Sequence, residues 1–163
     1  MSARGSSNAL GRFEGKTHIL PLNIYYEDTD LSGFVYHANY LRFMERGRTE
    51  CLRLAGAALA ALDAPEPTAW AILCADVRFR RPARLDDTVE VHTRLLGLAG
   101  ARMTVAQQIL LAGTLLVEGR IEACIVTLTG RPRRVPDAVR NLLTPLLCEP
   151  PNSNRPPLPI VES

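Results

Sequence analysis

The sequence lacks the features that mark several classes of protein. No stretch approaches the roughly 20 apolar residues that a membrane-spanning helix needs. The segment 1–16 is rich in Ser, Gly and Arg and has no apolar core, so it is not a secretory signal. The formal net charge of +2 is too small to indicate a surface for nucleic acid or an anionic membrane. We therefore expect a cytoplasmic protein that does not span a membrane and does not bind nucleic acid.

The cysteines are few and far apart, and no two of them form a Cys-x-x-Cys pair: Cys51, Cys74, Cys124 and Cys148. The first falls on an apolar helical stripe, and the next two fall in strand-like runs. This pattern predicts small buried hydrophobic residues in a reducing compartment rather than disulfides or zinc ligands. The sequence contains no metal, nicotinamide or flavin motif, so we expect no cofactor.

The length of 163 residues is enough for one domain with a real core. We expect a disordered leader over 1–16, a folded domain over 17–147 and a flexible proline-rich tail over 148–163. Within the domain, 17–27 reads as a strand, and a helix runs from His37 or Ala38 to Leu59. From there the hydrophobic period changes to two and predicts four strands joined by turns, near 70–80, 89–95, 102–111 and 115–129. The first of these four is expected to be half-buried, and Ala112 and Gly113 should form a tight hairpin between the last two.

One long apolar-faced helix followed by a meandering antiparallel sheet predicts an α+β architecture. The strand at 115–129 is apolar on both faces near its end, which favours a central position in the sheet. No second helix of comparable length is available to cover the other face of the sheet. Either that face is polar or another subunit covers it, so we expect an oligomer.

The turn before the long helix carries two carboxylates, Asp28 and Asp30, followed by Ser32 and Gly33. These positions match the start of a calcium loop, but Asn39 stands where a bidentate glutamate should close it. A structural role is the second interpretation, since acidic residues suit a helix start and Asp and Ser are common in turns. The third is a catalytic carboxylate facing helix N-terminal amides that stabilise an oxyanion. Spacing alone leaves the three interpretations open.

The segment 27–40, Glu-Asp-Thr-Asp-Leu-Ser-Gly-Phe-Val-Tyr-His-Ala-Asn-Tyr, resembles the signature of the 4-hydroxybenzoyl-CoA thioesterase family of hotdog-fold proteins. The closest likeness is to the acyl-CoA thioesterase branch associated with the bacterial Tol-Pal cluster. That branch continues into a Glu-Arg-x-Arg-Thr-Glu helix, which 45–50 matches. Further on, 81–87 resembles the family's Ala-Arg-Leu-Asp-Asp turn and 130–136 resembles its Arg-Pro-containing close. The likeness covers about 18–145.

This resemblance implies a hotdog fold, a long central helix wrapped by an antiparallel β-sheet. It also implies hydrolysis of an acyl or aromatic acyl thioester, carried on CoA or on acyl carrier protein, to a free acid. The catalytic carboxylate falls on Asp30, as nucleophile or general base, and the oxyanion donor falls on the backbone amide of His37. The His37 imidazole would orient Asp30 or the attacking water. The expected substrate-binding positions lie in the same motif: Gly33, Tyr36, Asn39 and Tyr40.

Family members dimerise edge to edge and often form tetramers with sites at the subunit interface, so the resemblance implies a homodimer or homotetramer. Several arginines are candidates for the CoA phosphates, although a solvated surface position is the simpler expectation for any one of them: Arg80, Arg81, Arg84, Arg131, Arg133 and Arg134. Phe34, the loop at 57–68 and the tail depart from the family pattern. The alternative function is a non-catalytic acyl-binding or scaffold protein of a membrane-associated complex.

Overall fold

A computed structural model describes residues 9–62 and 65–148. Within these residues one antiparallel sheet has six strands: β1 (Arg12–Glu14), β2 (Thr17–Asn23), β3 (Thr68–Phe79), β4 (Thr88–Ala99), β5 (Arg102–Leu111) and β6 (Thr114–Thr127). The α-helices are α1 (His37–Leu54), α2 (Ala57–Leu62) and α3 (Asp137–Leu143), and two single 3-10 turns are Tyr26–Asp28 and Thr144–Leu146. The strand order is β1-β2-β4-β5-β6-β3. The predicted α+β architecture is confirmed.

The core lies between α1 and one face of the sheet. The buried residues of α1 are spaced three, one and three positions apart, which places them on one side of the helix: Tyr40, Phe43, Met44 and Gly47. Alternation along the strands sends every second side chain toward this helix. Directly paired core positions include Val91 with Ile109 and Thr93 with Gln107. None of the described helices is long and apolar enough to cross a membrane.

The first helix is shorter than predicted. It ends at Leu54 rather than Leu59, because Gly56 takes a φ of +77°, a left-handed conformation that glycine adopts readily and that ends the helix. The next helix, α2, begins directly after this glycine, at Ala57. The predicted leader over 1–16 is wrong for Arg12–Glu14, which form β1 against β2. Residues 1–8 of that leader, and 149–163 of the predicted tail, lie outside the described residues.

The first predicted strand ends at Asn23, and a 3-10 turn replaces its last part. Pro21 is tolerated inside β2 because β1 does not reach it: Arg12, the first residue of β1, pairs with Ile19. At Pro21 the strand therefore has a neighbour on one side only. The two-residue hairpin expected at Ala112 and Gly113 is confirmed. Both residues have positive φ, 46° and 81°, as a type I′ turn between paired strands requires.

The sheet face opposite α1 is polar. Register and alternation place interleaved charges there, among them Asp76, Arg94, Arg120 and Glu122. Within the sheet, the exposed large apolar residues lie on β3, which is an edge strand, where Ile72, Leu73 and Phe79 are each about half exposed. Sequence alternation had predicted a half-buried strand at this position. Cys74 on β3 is also exposed, so the prediction that it is buried is wrong for a single chain.

Candidate active site

Asp30 lies in a tight turn between the first 3-10 helix and α1. Its carboxylate Oδ1 accepts hydrogen bonds from the Ser32 amide at 2.8 Å and from the Ser32 hydroxyl at 2.5 Å. The backbone closes the turn, since the Asp30 amide donates to the Phe34 carbonyl and the Gly33 amide donates to the Asp30 carbonyl, both at 3.0 Å. Gly33 has a φ of +77°, so the predicted tight backbone turn is confirmed at this residue.

These hydrogen bonds favour the ionised form of Asp30. The pKa of its carboxyl is lowered, first by the Ser32 hydroxyl, then by the Ser32 amide and, to a smaller extent, by the charge of the His37 side chain. The carboxylate is nevertheless exposed to solvent. Because both hydrogen bonds go to Oδ1, Oδ2 has no partner among the described residues. The result is a fixed anion with one oxygen available to a ligand.

Asp28 has a different environment from Asp30. It is buried, and its Oδ2 accepts a hydrogen bond from the Tyr25 amide at 2.8 Å. Its carbonyl accepts from the Tyr36 amide and from the Asn39 side chain, both at 2.9 Å. The two carboxylates thus bind separate donors and do not share a ligand. Asp28 and Asn39 tie the turn to the start of α1.

The first turn of α1 opens beside this loop. His37 is the first helical residue, and Tyr36 precedes it in an extended conformation with a ψ of 130°. The backbone N–H of His37 has no acceptor among the described residues, as expected at a helix N-terminus. The imidazole is exposed and packs against the Tyr36 ring at 4.6 Å between centroids and edge-on to Phe79 at 6.1 Å. A free amide at the positive end of the helix can bind a developing negative charge.

An aromatic cluster formed by side chains of α1 and β3 packs next to the start of α1. The Tyr40 ring lies 5.9 Å from Phe43 and 5.8 Å from Phe79 between centroids. Its hydroxyl oxygen accepts a hydrogen bond from the Ala83 amide at 2.8 Å, while the Ala83 carbonyl accepts from Val35. Tyr40 is only 3% exposed, so it braces the site and does not face the open space near Asp30. Burial of the phenol raises its pKa.

The predicted site residues therefore lie together in one loop and one helical turn: Asp30, Gly33, Tyr36, His37, Asn39 and Tyr40. Sequence reasoning did not identify Phe79 and Ala83, which reach the site from the end of β3 and from the loop after it. The role of Ser32 as the hydrogen-bond donor to Asp30 was also missed, although the Asp-x-Ser spacing of an Asx turn could have indicated it.

Comparison with known proteins agrees with this architecture. A model of the thioesterase-like superfamily matches residues 25–143. An acyl-CoA thioester hydrolase, YbgC, of Escherichia coli O6:H1 is 40% identical over 121 residues, which cover 73% of this chain and 90% of the relative. An acyl-CoA thioesterase, YbgC, of Haemophilus influenzae is 33% identical over 66% of this chain and 79% of its own length. The crystal structure of a probable thioesterase from Bartonella henselae superimposes with a TM-score of 0.70 at 38% identity, covering 74% of this chain and 99% of that one.

A helix packed on an antiparallel six-stranded sheet is the hotdog fold of thioesterases. In this chain a carboxylate lies in the turn just before that helix. This chain belongs to the thioesterase-like superfamily.

Proposed function

We propose that this protein hydrolyses an acyl-CoA thioester to a free acid and CoA. The observation that carries the proposal is the carboxylate of Asp30, fixed in the turn that leads into α1, whose first residue, His37, has an unpaired backbone amide. Relatives at 40% and 33% identity carry the names acyl-CoA thioester hydrolase and acyl-CoA thioesterase, which supports the same substrate class. Acyl carrier protein is the second candidate for the group that carries the acyl chain, and the cytoplasm is the proposed location.

In this proposal the His37 amide donates a hydrogen bond to the thioester carbonyl oxygen as negative charge develops there. Asp30 acts in one of two ways. As a nucleophile, it bonds to the carbonyl carbon, the C–S bond breaks, the leaving thiolate takes up a proton, and water then hydrolyses the mixed anhydride. As a general base, it accepts a proton from the water that attacks the carbonyl carbon; the C–S bond then breaks, and the leaving thiolate takes up the proton. Asp30 is exposed and the pKa of its carboxyl is lowered, so the ionised form required by either route is present at neutral pH.

The test is thiol release from short, long and aromatic acyl-CoAs by wild type, Asp30→Asn and the matched control Glu27→Gln. Glu27 is an exposed carboxylate of the same segment. We expect Asp30→Asn to lose about two orders of magnitude or more in rate, whereas Glu27→Gln keeps the wild-type rate. Circular dichroism spectra of the three proteins should coincide. Equal activity of Asp30→Asn and wild type would refute the assigned role.

The alternative, a non-catalytic acyl-binding or scaffold protein, predicts another outcome in the same experiment. Wild type and Asp30→Asn would then bind acyl-CoA equally and release no thiol from any substrate, including acyl carrier protein thioesters. The exposed, ionised carboxylate favours the enzyme, because a binding module needs the shape of this turn but not its charge.

We also propose that the active unit is a homo-oligomer built through β3. This strand leaves one edge of the sheet unpaired over 12 residues and exposes Ile72, Leu73 and Phe79. Edges of this kind attract another strand. The loop 130–135 follows the end of the β3–β6 ladder at which Thr68 pairs with Thr127. In an antiparallel pair formed by the β3 strands of two copies, the Thr68 end of one strand lies next to the Phe79 end of the other. The second copy would therefore bring its loop 130–135 toward Phe79 and the site.

Light scattering combined with activity at decreasing protein concentration tests this assembly and separates a dimer from a tetramer. We expect specific activity to fall as the subunits dissociate. Cys74, which is exposed near the middle of β3, should form an intersubunit crosslink when the protein is treated with a short bifunctional thiol reagent. Full specific activity from a verified monomer would refute a site shared between subunits.

A further inference from the structure

Arg84 is an exposed arginine whose guanidinium stacks on an aromatic ring. Its guanidinium carbon lies 4.4 Å from the centroid of the Phe34 ring, a stacking arrangement that arginine favours over lysine. A β-bridge pairs the backbones of Phe34 and Arg84, and the Arg84 amide donates to Asp87 Oδ2 at 2.8 Å. The guanidinium N–H groups have no acceptor among the described residues. A positive charge is therefore fixed by an aromatic surface, with its hydrogen-bond donors free.

This charge lies beside the turn that carries Asp30. The Phe34 carbonyl accepts the hydrogen bond that closes that turn, and the Phe34 amide donates to the Ser32 hydroxyl at 3.2 Å. The next residue, Val35, donates to the Ala83 carbonyl at 2.9 Å and so holds the segment before Arg84 against the turn. The backbone positions of the candidate nucleophile and of Arg84 are thus coupled through a few short hydrogen bonds.

The other candidate arginines differ from Arg84 in their contacts or their place. Arg80 forms an ion pair with Glu118 at 2.6 Å, and Arg133 forms one with Glu66. Among the described residues, no aromatic ring stacks on the Arg81 guanidinium. Arg131 and Arg134 follow β6 near the Thr68 end of β3, whereas the Asp30 turn lies near its other end. Within a single chain, Arg84 combines a fixed guanidinium, free donors and proximity to the Asp30 turn.

We propose that Phe34 and Arg84 form a phosphate-recognition site at which the guanidinium binds a phosphate of the CoA portion of the substrate. This inference rests on the proposed thioesterase function. Stacking on Phe34 fixes the guanidinium in advance, so less side-chain entropy is lost when a phosphate binds. The contact forms equally in the ground state and in the transition state, because the phosphates take no part in the reaction. It therefore lowers KM and leaves kcat unchanged.

The experiment compares one acyl group on two carriers, CoA and N-acetylcysteamine, the second of which has no phosphate. We expect Arg84→Gln to raise KM for the acyl-CoA about tenfold or more. Phe34→Leu, which removes the stacking surface, should raise it about two- to fivefold. Neither variant should change kcat, or any parameter for the N-acetylcysteamine thioester. Arg94→Gln is the matched control, because Arg94 is an exposed arginine on the sheet face opposite α1.

A binding measurement provides a readout that does not depend on turnover. Calorimetry with CoA, 3′-dephospho-CoA and pantetheine should show that Arg84→Gln weakens CoA binding and leaves pantetheine binding unchanged. If the loss is the same for CoA and 3′-dephospho-CoA, the contact is with the diphosphate. If it occurs with CoA alone, the contact is with the 3′-phosphate.

Three results would overturn the proposal. These are an unchanged KM for acyl-CoA in Arg84→Gln, an equal loss on both thioesters, and unchanged CoA binding. An equal loss on both thioesters, together with a lowered kcat, would show that Arg84 supports the Asp30 turn instead. If wild type hydrolyses neither thioester, the proposed activity fails, and the calorimetry still decides whether Arg84 binds phosphate.

Discussion

Replacement of Gly47 by alanine tests how closely α1 must approach the sheet. A Cβ atom at Gly47 would lie 2.6 Å from Val91 Cγ1, 3.1 Å from Gln107 Nε2 and 3.1 Å from Thr93 Oγ1. Non-bonded carbon atoms are most stable about 3.5–4.0 Å apart. Val91 is completely buried, so its side chain is enclosed by other parts of the core. Either its side chain or the helix must shift by about 1 Å.

The magnitude follows from three contributions. Overpacking of a core costs about 1–3 kcal/mol. Disturbing the hydrogen bond from Gln107 Nε2 to Thr93 Oγ1, which is 2.9 Å long, costs about 1 kcal/mol. Replacing glycine by alanine inside a helix raises the free energy of unfolding by about 1 kcal/mol, because alanine has the higher helix propensity. We therefore expect Gly47→Ala to lower the free energy of unfolding by about 1–3 kcal/mol.

Urea denaturation followed by circular dichroism measures this change, with Gly119→Ala as the control. A Cβ at Gly119 would meet Met44 Cε and Val77 Cγ2 at 3.2 Å each and the Asp76 carbonyl oxygen at 3.3 Å, so a shift of a few tenths of an ångström suffices. We expect this variant to stay within about 1 kcal/mol of wild type. Adding Gly47→Ala to Val91→Ala should cost less than adding it to wild type, because the clashing methyl group is absent. A Gly47→Ala protein as stable as wild type would refute the reasoning.

Two further predictions concern buried polar groups. Gln107 is 1% exposed, accepts from Arg48 at 2.9 Å and donates to the Met44 carbonyl and to Thr93. We expect Gln107→Leu to lower the free energy of unfolding by about 2–4 kcal/mol, because it leaves a half-buried guanidinium without its acceptor; a loss below 1 kcal/mol in urea would contradict this. His18 is fully buried, and its Nε2 lies 2.6 Å from the Leu10 carbonyl. Burial lowers the pKa of His18 below the ordinary 6.5, and this effect outweighs the hydrogen bond to Leu10 and the charge of Glu50, which both raise it. The unfolded chain therefore binds a proton at His18 more tightly than the folded chain does. The contribution of neutral His18 to the free energy of unfolding is fully present above about pH 6.5. It falls by up to about 1.4 kcal/mol per pH unit as the pH drops toward the lower folded-state pKa. Denaturation midpoints of wild type and His18→Gln between pH 5 and 8 check this, and identical pH dependence of the two proteins would refute it.

Much of the fold follows from local patterns in the sequence. The period of two from β3 onward and the apolar stripe from Tyr40 to Gly47 predict strands and a helix, because each pattern records which side of an element faces the core. The hairpin at Ala112 and Gly113 follows from its length and composition. The closure of the turn that carries Asp30 is also local, since the hydrogen bonds among residues 30–34 span four residues or fewer. These features needed no knowledge of distant contacts.

Other features were decided only by the tertiary structure. Alternation shows that β3 has two different faces, but it does not show that β3 pairs with β6 and forms an edge of the sheet. That pairing depends on contacts between residues far apart in sequence, and it places Phe79 against His37. In the same way, the Phe34 ring and the Arg84 guanidinium meet because a bridge joins segments 50 positions apart. The sequence by itself therefore determined the elements and the carboxylate turn, whereas long-range pairing decided what surrounds that turn.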